Sequence, residues 1–297
     1  MSGAGPEERN LLGADNERWA KHFFEKVVKW RHITDNFDIQ KSDRGSKKGL
    51  DLVFQCFDPF TNKLDNLIVE SKFRQDVKSI GTKELGNMIT SLKEKIELSR
   101  ITPSWTGTSF EEILHEGEFL SGALFLKLEK YDHESILDSI KRVVVGGTNT
   151  NPPVIGLITN RRLAQLLSLT VSRKNLEFYY PVFGKNKAKA WHPFLSFTYL
   201  YSDIIAGRYV EDGKEKVFIL SFERPTMDSV KYIINAIMTK WYLADNPVTI
   251  FFTEANESEI QYLNSLKTHN SNYDIRALKF VDEGLNFSLE DFLNGIY

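Results

Sequence analysis

The sequence predicts an α/β protein in which mixed sheets are flanked by helices, arranged as two successive units. Three observations point there. Apolar runs rich in β-formers alternate with amphipathic helical patterns along the chain. The order two strands, helix, strand, helix, strand occurs twice. The 297 residues, 41% hydrophobic and 26% charged, suffice for one large core or two ordinary ones without disulfides or metal. With only 18 glycines and 9 prolines, collagen-like, mucin-like and largely disordered chains are excluded.

The elements follow in order. After a polar opening, Asp15 is placed to cap a helix running toward Trp30, with Trp19, Phe23, Val27 and Trp30 on one face. Residues 37–40 read as a short strand. Residues 50–57 are β-rich, Asp58-Pro59 and Thr61-Asn62 break them, and residues 67–73 complete a hairpin. Residues 81–99 carry Leu85, Met88, Ile89, Leu92 and Ile96 at helical spacing, a helix expected to cover one sheet face. Strand 123–128, helix 134–145, strand 154–159 and helix 161–172 come next. Residues 178–197 are an aromatic, Lys-containing connection. The second series then runs through hairpin strands 203–210 and 216–222 around Asp212-Gly213, helix 227–241, strand 248–253, helix 257–266 and strand 275–281. The chain is thus expected to divide into a domain over 11–198 and a second α/β domain over 199–297.

Charge and cysteine usage narrow the function classes. The 38 basic and 40 acidic side chains leave a net charge of -2, so any anionic partner must be met by a local patch. Cys56 is the single cysteine, which excludes a disulfide framework and a thiolate zinc cluster. No apolar run is long enough to span a bilayer, the first residues lack the apolar core of a secretory signal, and a cytoplasmic location is the expectation. The Gly-containing loop before Pro152 has no Gly-Lys-Ser/Thr, so a triphosphate-cradling loop is unsupported.

Three segments read acid-any-Lys: Glu70-Ser-Lys72, Asp76-Val-Lys78 and Asp212-Gly-Lys214. Only the first ends an apolar strand, where the two-residue period puts Glu70 and Lys72 on one face and Val69, Ser71 and Phe73 on the other. If the hairpin brings Asp51 beside the Glu70 strand, three ionisable groups converge, a costly arrangement without a function. Two neighbouring carboxylates repel, and a hard divalent cation relieves this by taking an oxygen from each. Mg²⁺ fits best, with Mn²⁺ as a substitute, and the backbone carbonyl of Ser71 is a further candidate ligand. Lys72 is then a candidate to position or activate water and to balance charge. Glu17 is expected in the first helical turn facing the sheet, where either the helix dipole or the site explains it. A cross-strand ion pair on a surface hairpin accounts for the same spacing in Asp51, Glu70 and Lys72.

This pattern resembles the PD-(D/E)XK, or restriction-endonuclease-like, nuclease superfamily over roughly residues 11–160. Gly49-Leu-Asp51 with Glu70-Ser-Lys72 is particularly similar to its Mrr-like and archaeal Holliday-junction-resolvase-like branches. The resemblance implies a restriction-endonuclease-like mixed sheet, Asp51 and Glu70 as metal ligands, Lys72 as the catalytic lysine and Glu17 as the accessory acid. It also implies a metal-dependent DNA endonuclease in bacterial restriction or anti-phage defence. No Pro precedes Asp51, and no Gln-x-x-x-Tyr follows in the next helix, which argues against the RecB-type branch. The alternative is a non-catalytic DNA-binding or assembly subunit with a silent nuclease core.

Lys41, Arg44, Lys47 and Lys48 precede Asp51, and Arg74, Lys78 and Lys83 follow Lys72, so basic residues flank the site on both sides; they read either as phosphate contacts to duplex DNA or as solvated loops. Lys185, Lys187 and Lys189, interleaved with Phe183 and Trp191, read as loop and core rather than as a second patch. Asp203 and Glu223 occupy places comparable to Asp51 and Glu70, but Arg224-Pro225 follows and no Lys completes the motif. The second half is accordingly either an inactive copy of the first or an unrelated α/β domain. A homo-oligomer and a complex with a second protein subunit are equally compatible.

Overall fold

The computed structural model describes residues 6–40, 47–76, 80–101, 105–143, 152–170, 173–180, 191–240, 247–265, 267, 273–278 and 281–295. Among these residues no helix is long and apolar enough to cross a membrane. Two compact units form, one from Met1–Asp58, Asn62–Ala164 and Asp282–Tyr297, the other from Pro59–Thr61 and Gln165–Val281.

The first unit is built on α1 (Pro6–His22), β1 (Arg31–Gln40), β2 (Lys47–Asp58), β3 (Lys63–Asp76), α2 (Thr82–Ile101), α3 (Glu111–His115), β4 (Glu118–Lys130), α4 (His133–Arg142) and β5 (Val154–Thr159), and the start of α5 (Asn160–Thr170). Its sheet has the order β1-β2-β3-β4-β5. The pairs β1–β2 and β2–β3 are antiparallel, whereas β3–β4 and β4–β5 are parallel. Both faces are covered. The apolar stripe of α2, Leu85, Met88, Leu92 and Ile96, packs with Ile68, Leu124 and Leu126. On the opposite side Phe24 packs against Phe54 and Phe125 at ring separations of 5.4 and 6.2 Å.

The second unit continues α5 and adds β6 (Lys174–Tyr179), β7 (Trp191–His192), α6 (Phe197–Leu200), β8 (Ile204–Glu211), β9 (Lys214–Ser221), α7 (Met227–Lys240), β10 (Val248–Phe252), α8 (Glu257–Ser265) and β11 (Tyr273–Ala277). Its sheet order is β11-β10-β9-β8-β6-β7. Here β6–β8 and β8–β9 are antiparallel and β9–β10 and β10–β11 are parallel. With β7 set aside as an added edge, the succession of strand senses repeats that of the first sheet. Helix α7 links β9 to β10 as α2 links β3 to β4, and α8 links β10 to β11 as α4 links β4 to β5. This is the restriction-endonuclease-like core in duplicate, as the repeated order in the sequence predicts. The β8–β9 hairpin turns at Asp212 and Gly213, whose φ values of 50° and 73° suit a tight primed turn.

Several expectations need correction. Helix α1 begins at Pro6 and not at an Asp15 cap, so Asp15 lies inside it. It passes into a π-helical turn, Phe23–Val27, which buries Phe23, Phe24 and Val27, and Lys29 at φ 63° ends the helical run. Strand β1 spans ten residues because its polar sequence is held by pairing with β2, from Arg31 opposite Gln55 to Gln40 opposite Lys47. The connection expected over 178–197 contributes sheet positions in β6 and β7. The units divide at residue 165 and not near 198, and the C-terminal residues return to the first unit. There the last helix, α9 (Leu289–Leu293), stacks Phe292 on Trp19 of α1 at 4.0 Å.

Candidate active site

The site is assembled where β2 enters and β3 leaves their antiparallel pair. The ladder pairs Leu52 with Val69, and one step beyond it lie Asp51 and Glu70. The apolar run of β3 buries both sheet faces, so Glu70 is carried into the interior and is only 3% exposed. A buried carboxylate needs partners, and Glu70 has two. Its Oε2 lies 3.0 Å from Lys72 Nζ, and its Oε1 contacts the Nζ of Lys95 from α2. Lys72 Nζ also donates to Asp51 Oδ2 at 3.1 Å, and the same oxygen accepts the backbone N–H of Ser71 at 2.9 Å. Asn16 of α1 donates through Nδ2 to Ser71 Oγ at 2.6 Å. The expected alternation therefore holds: Glu70, to which Lys72 is bonded, is engaged by Lys95 of α2, and Ser71 by Asn16 of α1.

Electrostatics separate the roles. Burial opposes the charge on Lys72, but Glu70 and Asp51 outweigh it and raise its pKa above the ordinary lysine value. Lys72 is therefore a proton-bearing cation at neutral pH, able to donate hydrogen bonds and offset negative charge. Glu17 is half-buried in the C-terminal half of α1, not in the first turn as expected, so the helix dipole gives it no support. Its carboxyl is raised above its ordinary value by burial first and by the charge of Asp51 next, against the pull of Lys72. It sits in the field of the cluster.

The oxygen donors gathered here are of a kind that would suit a hard divalent cation. Two carboxylate oxygens, Asp51 Oδ2 and Glu70 Oε2, already converge on a single ammonium, and the Asn16 Oδ1 is a buried acceptor without a partner among the described residues. Oxygen donors of this kind suit a hard ion. Among the described residues no group of three or more His, Cys, Asp and Glu gathers as a complete protein cage. An ion that keeps several waters needs none.

The basic residues named from the sequence distribute around this end of the sheet. Lys47 and Lys48 open β2, Arg74 stands near the end of β3, and the exposed Lys83 lies in the first turn of α2. Lys48 contacts Glu94, Arg74 Nη2 lies 2.6 Å from Glu84, and Lys47 is 3.9 Å from Asp38. Lys41, Arg44 and Lys78 lie outside the described residues, as do Phe183, Lys185, Lys187 and Lys189. Trp191 packs in the second unit under the Arg208 guanidinium, 4.5 Å from its ring centre.

Sequence reasoning missed Lys95 and Asn16. Lys95 carried a signal, because it continues the stripe of Leu85, Met88 and Leu92, a lysine on the buried face of an amphipathic helix. Asn16 carried none beyond standing next to Glu17. In the second unit Asp203, Glu223 and Asp228 line one cleft of about 490 Å³. Pro225 stands two residues after Glu223, where the motif would have its lysine, and Arg224 between them is paired with Glu259 at 2.6 Å.

Residues 6–162, more than half of the chain, match the family model described as the GAPS4 protein PD-(D/E)XK nuclease domain. No curated protein matches the sequence.

Proposed function

This chain belongs to the GAPS4-type PD-(D/E)XK nuclease family, and on that premise we propose that it is a Mg²⁺-dependent DNA endonuclease acting in bacterial restriction or anti-phage defence. The observation that carries the reading is the Lys72 ammonium 3.1 Å from Asp51 Oδ2 and 3.0 Å from Glu70 Oε2. Asp51, Glu70 and the Ser71 carbonyl would hold the ion, with Mn²⁺ as a substitute. When bound, the ion supplies Lewis acidity toward a phosphodiester oxygen and a lower pKa for a bound water.

The remaining work falls to side chains. Lys72, protonated and held between two carboxylates, orients the attacking water and donates to a phosphate oxygen as negative charge builds on it. Its raised pKa favours this role over that of a general base. Glu17 serves as the accessory acid. Lys47, Lys48, Arg74 and Lys83, with Lys41, Arg44 and Lys78, neutralise phosphates of duplex DNA. The nuclease domain corresponds to the first unit. The second unit is a copy without catalysis, because Pro225 stands where the lysine of the motif would be, and it is available for DNA or for a second subunit.

The test incubates wild type and Glu70→Gln with linear duplex, circular duplex, single-stranded DNA and RNA, with Mg²⁺ or with chelator. Cutting of duplex DNA only by wild type and only with Mg²⁺ supports the proposal. Equal cutting by both proteins contradicts it. DNA binding without cutting in any arm favours the silent-core alternative, for which the two cations already on Glu70 are the supporting observation.

A further inference from the structure

Lys95 is 9% exposed on the apolar stripe of α2, between Leu92 and Ile96, both fully buried. A lysine is rarely buried to this degree without a specific partner. Its partner is one oxygen of Glu70, Oε1, while Oε2 faces Lys72, itself bonded to Asp51. The two oxygens of one carboxylate are therefore divided, one toward the helix and one toward the site. The carboxylate itself is enclosed, its side chain 4% exposed, so it has little room to exchange them by rotation.

We propose that Lys95 is a positioning residue that occupies Oε1 of Glu70, leaves Oε2 as the single oxygen offered beside Asp51, and thereby fits the site to Mg²⁺ over Ca²⁺. The reasoning is chemical. Mg²⁺ is small, keeps much of its water and is satisfied with one oxygen from each of one or two carboxylates. Ca²⁺ takes six to eight oxygens and readily accepts both oxygens of a carboxylate. A lysine on Oε1 withholds the second oxygen that would favour the larger ion. Outer partners of this kind commonly change metal affinity by 10–100-fold. Lys95 touches no reacting atom, so its effect passes through Glu70.

The inference rests on the metal reading of Asp51 and Glu70, and the test separates the two. Mg²⁺ and Ca²⁺ are titrated calorimetrically into full-length wild type, Lys95→Met, Lys95→Gln and Asp51→Asn, with melting temperature recorded for each. In Lys95→Met the preference for Mg²⁺ over Ca²⁺ is expected to fall about tenfold. Lys95→Gln, whose amide can still donate to Oε1, is expected to retain most of it. A preference unchanged in both variants, whatever their melting temperatures, overturns the inference and leaves the nuclease reading standing. If Lys95→Met does not fold, Lys95→Leu, which also lacks a donor to Oε1, takes its place: a fall in Mg²⁺ preference of about tenfold supports the inference and an unchanged preference overturns it. Failure of wild type to bind either ion, or binding undiminished in Asp51→Asn, overturns the metal reading itself and the inference with it.

Discussion

The backbone N–H of Ser71 donates to Oδ2 of Asp51 at 2.9 Å, tying β3 to β2 one step beyond their last paired residues. Asp51 is thus both a structural acceptor and a candidate metal ligand, and the two roles separate by substitution. Asp51→Ala removes the acceptor and is expected to cost about 1–2 kcal/mol of stability, with loss of cutting. Asp51→Asn keeps an acceptor oxygen, so it should unfold close to wild type in urea while also failing to cut. Equal destabilisation of the two variants would refute the structural half of this assignment.

Asp65 of β3 belongs to the opposite end of the same hairpin. Burial, then Asp58 and Glu118, push its carboxyl up to about 6. Its unfolded-state value is about 4, so the folded protein binds the proton more tightly. The contribution of Asp65 to stability falls as pH rises through that window, and the cost is complete above about 6. Because the group is partly exposed, Asp65→Asn should stabilise by about 1 kcal/mol at pH 7 and by almost nothing at pH 4. Urea unfolding at both pH values measures the difference, and an equal gain at each contradicts it.

Gly122 of β4 lies beneath α2. A Cβ there would stand 2.7 Å from Ile96 Cδ1 and 2.8 Å from the carbonyl oxygen of Ile68, and the second neighbour is backbone that cannot swing aside. Gly122→Ala should cost about 2 kcal/mol or more. It should also slow cutting, since Ile96 adjoins Lys95 on the helix that grips Glu70. Wild-type melting temperature and rate would show that the helix accommodates the methyl group.

The basic residues make a graded prediction. Lys47 and Lys83 are exposed, whereas Lys48 and Arg74 are engaged by Glu94 and Glu84. Lys47→Ala and Lys83→Ala should each lower the slope of log affinity for duplex DNA against log salt by about 1. Lys48→Ala should lower it less, because its charge is already offset. Fluorescence anisotropy across a salt series reads these slopes, and the reverse order would reject this assignment of phosphate contacts.

What was legible in the sequence follows from which signals are local. The apolar run over 67–73 and the stripe on 81–99 are periodic, and they place β3, α2 and hence Glu70 and Lys72 correctly. The order of strands and helices likewise reveals the second core. The full length of β1 is not legible in the sequence, because Asp35, Asn36 and Asp38 give an edge strand no apolar alternation, and its extent comes from pairing with β2. The start of α1 is not local information: Asp15 looks like a cap but lies within a longer helix held by its burial of Asn16, Trp19 and Ala20. Lys95 and Asn16 reach the site from sequence separations of 25 and 55 residues. The return of the C-terminal residues to the first unit is likewise a long-range packing choice, made by Trp19 against Phe292.

Lys72, held between Asp51 and Glu70, is expected to act in phosphodiester hydrolysis itself, and a single-turnover cutting rate reads that role. Purified wild type and Lys72→Met are mixed in excess over duplex DNA with Mg²⁺, and binding is followed in the same samples. Lys72→Met should bind DNA nearly as wild type does but cut at least about 100-fold more slowly. Equal rates at equal binding would contradict it.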